Sequence, residues 1–156
     1  MGKKQKDKND QRKEAEKMKH IVVAVDGSAG SGHALEEAVK LGKSFAEPPK
    51  ITVLHVDPSV AMVEPPFGVD PDERIEEEGR ELLKPIEATL EASGLEYAAM
   101  LRKGDPAREI CEFASRESCD LIVMGTRGQS LAAELLLGSV SHKVIQHAPC
   151  PVMTIR

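Results

Sequence analysis

Five short runs, Ile21–Val25, Ile51–Val56, Glu96–Arg102, Leu121–Gly125 and Val152–Ile155, are rich in aliphatic and β-branched residues and alternate with longer stretches of helical period. This rhythm predicts strands separated by helical crossovers, and so an open parallel sheet with helices on both faces, an α/β fold. Between the first two runs, Ala34, Leu35, Ala38, Val39, Leu41 and Phe45 recur at steps of three and four, the stripe of a helix lying on the sheet. A Pro-rich loop from Asp57 to Asp72 follows the second run. Beyond it Ile75, Gly79, Leu82, Leu83, Ile86 and Leu90 share one helical face, Pro85 is expected to kink that helix, and Gly94 to end it. Asp105-Pro106 then reads as a helix start, with Asp105 as N-cap and Ile110, Phe113 and Ala114 turned inward. No internal repeat is visible.

Length and charge refine this picture. The chain has 156 residues, the size of one ordinary domain, and the expected division is a basic polar tail over residues 1–19 and a single folded domain over 20–156. Residues 1–20 carry eight Lys or Arg against four acids, whereas the remainder carries 13 bases against 22 acids. The folded body is therefore acidic. With no Trp, one Tyr and three Phe it also lacks the stacking platforms and basic groove of a nucleic-acid binder, and no nucleic-acid partner is expected. The longest aliphatic runs are far too short to span a bilayer, and no apolar segment follows the basic start, which leads to the expectation of a cytoplasmic protein without a membrane partner. Cys111, Cys119 and Cys150 are odd in number and form no Cys-x-x-Cys or Cys/His pattern, so neither a disulfide framework nor a zinc site is indicated and no metal ligand is assigned. Cys111 and Cys150 read as packing residues; for Cys119 a redox-sensing thiol is the alternative, disfavoured because the carboxylate of neighbouring Asp120 raises rather than lowers a thiol pKa.

The candidate chemistry lies in glycines. Gly125-x2-Gly128-x9-Gly138-Ser139 follows a buried strand and precedes a helix, where side-chain-free backbone can approach an anion and a helix start supplies unpaired N–H groups. Arg127, inside this loop, could offset phosphate charge or be a solvated surface residue. Asp26, just after the first strand, reads either as a ligand contact or as a helix N-cap, and Ser139 likewise. His33, His55, His142 and His147 show no motif spacing to a carboxylate and read as packing or surface residues. Two competing motifs fail where their chemistry resides. Gly27–Ala34 has P-loop glycine spacing, but His33 and Ala34 replace its Lys and Ser/Thr, and Gly30-x-Gly32 lacks the third glycine of a dinucleotide fingerprint. No Gly-x-Ser-x-Gly elbow is present either.

These segments occur in an order that resembles the universal stress protein family over roughly residues 19 to 156. The likeness rests on Val25-Asp26-Gly27-Ser28-x-x-Ser31-x-x-Ala34-Leu35, Val53-Leu54-His55-Val56, Asp120–Gly125, the spaced glycines and Ala148-Pro-Cys-Pro-Val152. The resemblance implies a Rossmann-like sheet of strand order 3-2-1-4-5, which would set the loop after Val25 beside the loop after Met124. It also implies an ATP site. Gly125, Gly128 and Gly138 would wrap the phosphates, Ser139 and Ser141 would add hydroxyl donors, Asp26 would lie near the nucleoside and the Val56 main chain near the adenine edge. Mg2+ would accompany the nucleotide, held mostly by phosphates and water. A homodimer through the last strand and a regulatory protein partner are further implications.

Three functional classes follow: an ATP-binding sensor or interaction module in stress response, a slow ATPase or self-phosphorylating enzyme, and a dimeric module whose cleft is vestigial. The spaced glycines argue against the last. The absence of an evident general base argues against the enzyme, and no catalytic residue is assigned.

Overall fold

The five runs become five parallel strands in a computed structural model that describes residues 17–58, 71–126 and 137–156. In chain order the elements are β1 (His20–Val25), α1 (Ala29–Ser44), β2 (Lys50–Asp57), α2 (Pro71–Ser93), β3 (Tyr97–Lys103), α3 (Pro106–Arg116), β4 (Leu121–Gly125), α4 (Ser139–His147) and β5 (Val152–Ile155). The sheet order is β3-β2-β1-β4-β5, which puts β1 and β4 side by side at the centre with Ile21 opposite Leu121 and Ala24 opposite Met124.

Alternation along the strands divides the core in two. Ile21, Val23, Val25, Ile51, Val53, Leu121 and Val123 point to one face and form a cluster with Ala34, Leu35 and Ala38 of α1 and Leu83 and Leu90 of α2. Val22, Ala24, Leu54, Val56, Ile122 and Met124 point to the other and meet Ala107, Ile110 and Phe113 of α3 and Val144 of α4. Both faces are covered, so the central strands read as continuous apolar runs, not as alternation.

The element boundaries differ from expectation in instructive ways. β3 starts at Tyr97 because Glu96 contributes only its carbonyl, to Ile51 N at 2.9 Å. α2 begins at Pro71, where a missing N–H is harmless, and continues through Pro85 to Ser93 before Gly94 turns the chain at φ +74°. Residues 59–70, most of the expected loop, lie outside the described residues. Lys17–Lys19, read from sequence as tail, are tied to the domain. Lys17 bridges Glu47 at 2.7 Å, Met18 packs on the α1/α2 cluster, and Lys19 N donates to Asp120 Oδ2 at 2.7 Å.

Candidate functional site

In a parallel sheet ligands are expected beyond the carboxyl ends of the strands at the point where the connection order reverses, here between β1 and β4. A cavity of about 460 Å³ occupies that position. Asp26, Val56, Gly125, Gly138, Ser139 and Ser141 all line it, so six of the eight residues picked from sequence converge. Arg127 and Gly128 lie outside the described residues.

Each wall has a local cause. After β1 the chain turns through Gly27 at φ +81°, a conformation that favours glycine, and Asp26 Oδ1 accepts from Ser28 N at 3.0 Å. The N-cap of α1 is therefore Ser28, which accepts from Ser31 N at 3.2 Å, and the N-cap alternative read for Asp26 is corrected: its carboxylate folds the turn instead. Ser31, 5% exposed, sits at the cavity wall with its hydroxyl donated to Ser28 O at 2.9 Å.

Across the cleft α4 starts with Gly138 as N-cap and no side-chain cap, whereas α1 and α3 are capped by Ser28 and Asp105. Ser139 is thus the first helical residue rather than the cap that its alternative reading made it. The first intrahelical bond of this end is His142 N to Gly138 O at 2.9 Å, so the amides of Ser139, Val140 and Ser141 precede the helical ladder and carry its partial positive charge. Gly138 N itself donates to Thr126 O at 2.7 Å, and Thr126 N to Ile155 O at 2.7 Å. These bonds clamp both ends of the glycine-bearing loop. Ser141 belongs to the same clamp: 2% exposed, its hydroxyl lies 3.0 Å from Thr126 O and 2.9 Å from Gly138 O. Ser141, expected as a hydroxyl donor to ligand, thus lines the cavity with its proton directed at these carbonyls.

Sequence reasoning passed over the remaining walls. His55 Nδ1 approaches Val25 O at 2.8 Å, which makes Nδ1 the protonated nitrogen because a carbonyl can only accept. The ring ties β2 to the end of β1 beside Asp26. Glu78, Gly79 and Leu82 bring the middle of α2 to the cavity, and Pro106 and Ile110 bring α3. Gly79 and Ile110 were read as core positions, which they also are; no periodicity separates a core face from one that ends at a cleft. Asp57 and Glu78 add carboxylates to Asp26 around the rim, Glu78 being paired with Arg74 at 3.2 Å. Among the described residues no group of three His, Cys, Asp or Glu could hold a metal ion, and no helix is long and apolar enough to cross a membrane.

Comparison with known proteins agrees with the fold. The model of the universal stress protein family matches residues 17–156. A universal stress protein of Methanocaldococcus jannaschii is 39% identical over 139 residues, covering 88% of this chain and 82% of its own. Among solved structures, a universal stress protein from Lactobacillus plantarum superposes with TM-score 0.78 at 26% identity over 90% of this chain and 99% of its own. One from Arabidopsis thaliana with AMP bound has TM-score 0.60 at 26% identity over 88% of this chain and 90% of its own. The chain belongs to the universal stress protein family.

Proposed function

We propose that this universal stress protein binds an adenine nucleotide, ATP, in the cleft between β1 and β4 and serves as a nucleotide-dependent sensor or interaction module. The observation that carries the reading is the α4 amino end: helix amides with no side-chain cap open onto a cavity whose other wall holds Asp26 and Val56. Phosphates suit that end, because helix-start amides and the aligned peptide dipoles favour an anion. Asp26 and the Val56 main chain suit the nucleoside, one as hydroxyl or amine acceptor, the other as a backbone edge. The cavity volume of about 460 Å³ lies in the usual range of small-molecule sites, roughly 300–1,000 Å³. AMP in the Arabidopsis relative supports the adenine nucleotide class. Mg2+ would arrive with the triphosphate and take its ligands from phosphate and water, since the carboxylates at the rim do not group into a metal site.

The test is a substitution that spares the fold. Gly138 has φ −72° and ψ 161°, open to any residue, so Gly138→Val leaves the backbone unstrained while placing a branched side chain at the start of α4. Calorimetry should show ATP affinity reduced at least about tenfold, a loss of roughly 1.4 kcal/mol, with an unchanged circular dichroism spectrum. Equal affinity in the folded variant would reject the phosphate assignment.

A further inference from the structure

His55 stands where two strands end together. Val25 and His55 are the last register pair of β1 and β2, and past them β2 runs on to Asp57 in register with β3 alone. Lys50 N donates to Lys19 O, so along this parallel ladder the main-chain groups of even-numbered β2 residues face β1. The carbonyl of Val56 therefore faces the space past the end of β1, which is the cavity that Val56 and Asp26 both line. Asp26 reaches the same space from β1, and the peptide joining it to Val25 is held at both of its polar groups. The carbonyl accepts from His55 Nδ1 at 2.8 Å, and the N–H points at Ser31 Oγ at 3.4 Å. One peptide plane, directly ahead of Asp26, is thus tied to a side chain of β2 and to one of α1.

We propose that His55 is a positioning residue for the nucleoside, its Nδ1–H bond to Val25 O setting the gap between Asp26 and the Val56 carbonyl. This role rests on the nucleotide reading above and assigns the spacing of its two nucleoside contacts to a third side chain. The end of a ladder opens more readily than its middle, and here β1 turns away at Gly27, φ +81°, immediately after Asp26. A side-chain bond to the terminal carbonyl closes that end. Asp26 and Val56 then meet the nucleoside as a preset pair, and less freedom is lost on binding. Nδ1 carries a hydrogen both in the neutral tautomer that Val25 O requires and in the imidazolium, so the tie persists in either charge state. An apolar side chain at this position leaves the β1–β2 ladder in place and removes only the tie.

The experiment compares His55→Leu, His55→Asn and His55→Gln with the wild-type full chain, following Tm, calorimetric affinity for ATP and, by competition against ATP, affinity for adenosine. The Asn amide nitrogen stands as many bonds from the backbone as Nδ1, whereas the Gln amide nitrogen stands one bond further out, at the place of Nε2. His55→Leu and His55→Gln should bind ATP about fivefold more weakly or worse, and adenosine by the same factor, while His55→Asn restores most of the affinity. A side chain that only supported the fold would lower affinity in step with Tm and would not rank Asn above Gln. Should His55→Leu fail to fold, that ranking still decides. Unchanged ATP affinity in folded His55→Leu, Asn no better than Gln, or an ATP loss that adenosine does not share would each overturn the role of His55 and leave the nucleotide reading standing. A wild type that binds no ATP would overturn that reading and the role of His55 with it.

Discussion

Asp105 is where a single charge is most directly coupled to local structure. Its carboxylate accepts from Arg108 N at 2.9 Å at the start of α3 and lies 3.6 Å from Lys143 on α4. The Arg108 amide, with Lys143 adding a smaller share against the cost of desolvation, holds its carboxyl below the usual value. The folded value lies below the unfolded one, so the stabilisation is present above about pH 4 and is lost as pH falls through the folded value. Loss of a cap costs about 1 kcal/mol, whereas the half-exposed ion pair adds little. Asp105→Ala should therefore lower stability by about 1 kcal/mol in urea titrations at pH 7, with the difference shrinking at pH 3, and Asp105→Asn should retain most of it. This cap was legible because Asp-Pro ahead of an apolar face is a local signal. Asp26 and Ser141 were picked from sequence and line the cleft, but their bonding was not legible. Whether a side chain faces a ligand or its own backbone depends on turn geometry, here the positive φ of Gly27 and the clamp on Thr126 O, that residue type does not encode.

Elements were legible where burial is carried by large apolar side chains and obscure where it is carried by small ones. The stripe on α1 was read from Ala34, Leu35, Ala38, Val39, Leu41 and Phe45; the first three are buried and the other three only half-buried, whereas Ser31 and Gly42, left out of it, are buried, and a Cβ on Gly42 would stand 3.1 Å from Leu95 Cδ1. Close approach of a helix to its neighbours leaves no periodic trace. Gly79 of α2, by contrast, was read within its stripe, and there a Cβ would meet Leu101 Cδ1 at 2.6 Å and Cδ2 at 2.8 Å, so the helix rests on β3 through a side-chain-free spot. Two effects oppose each other in Gly79→Ala. Helix propensity favours Ala by about 1 kcal/mol. Overpacking costs about 1–3 kcal/mol and should win, because Leu101 is packed against the α1/α2 cluster and must move as a unit. The expected result is a net loss of about 1 kcal/mol with a lower Tm; a more stable variant would show that Leu101 swings aside freely.

At the scale of the whole molecule, periodicity supplied five strands but no order, since an apolar run does not say which neighbour it pairs with. The order 3-2-1-4-5 came from family resemblance, and it places β5 at an edge with β4 on one side only. That edge carries a further expectation, the homodimer. Pro151 O and Ile155 O accept from Ile122 N and Thr126 N, so along β5 the groups of 151, 153 and 155 face β4. Those of Val152 and Thr154 face outward, unpaired within the sheet and flanked by partly buried Val152, Met153 and Ile155. An apolar edge with free ladder groups is a template for another strand, and a second copy of the chain offers one of matching character. The two proline substitutions along this strand therefore separate assembly from folding. Val152→Pro removes an outward N–H and should give a folded monomer by light scattering. Met153→Pro removes an inward one, breaks the β4–β5 ladder and should cost stability of the domain itself, seen as a lower Tm. A dimer mass that survives in folded Val152→Pro would move the interface away from β5.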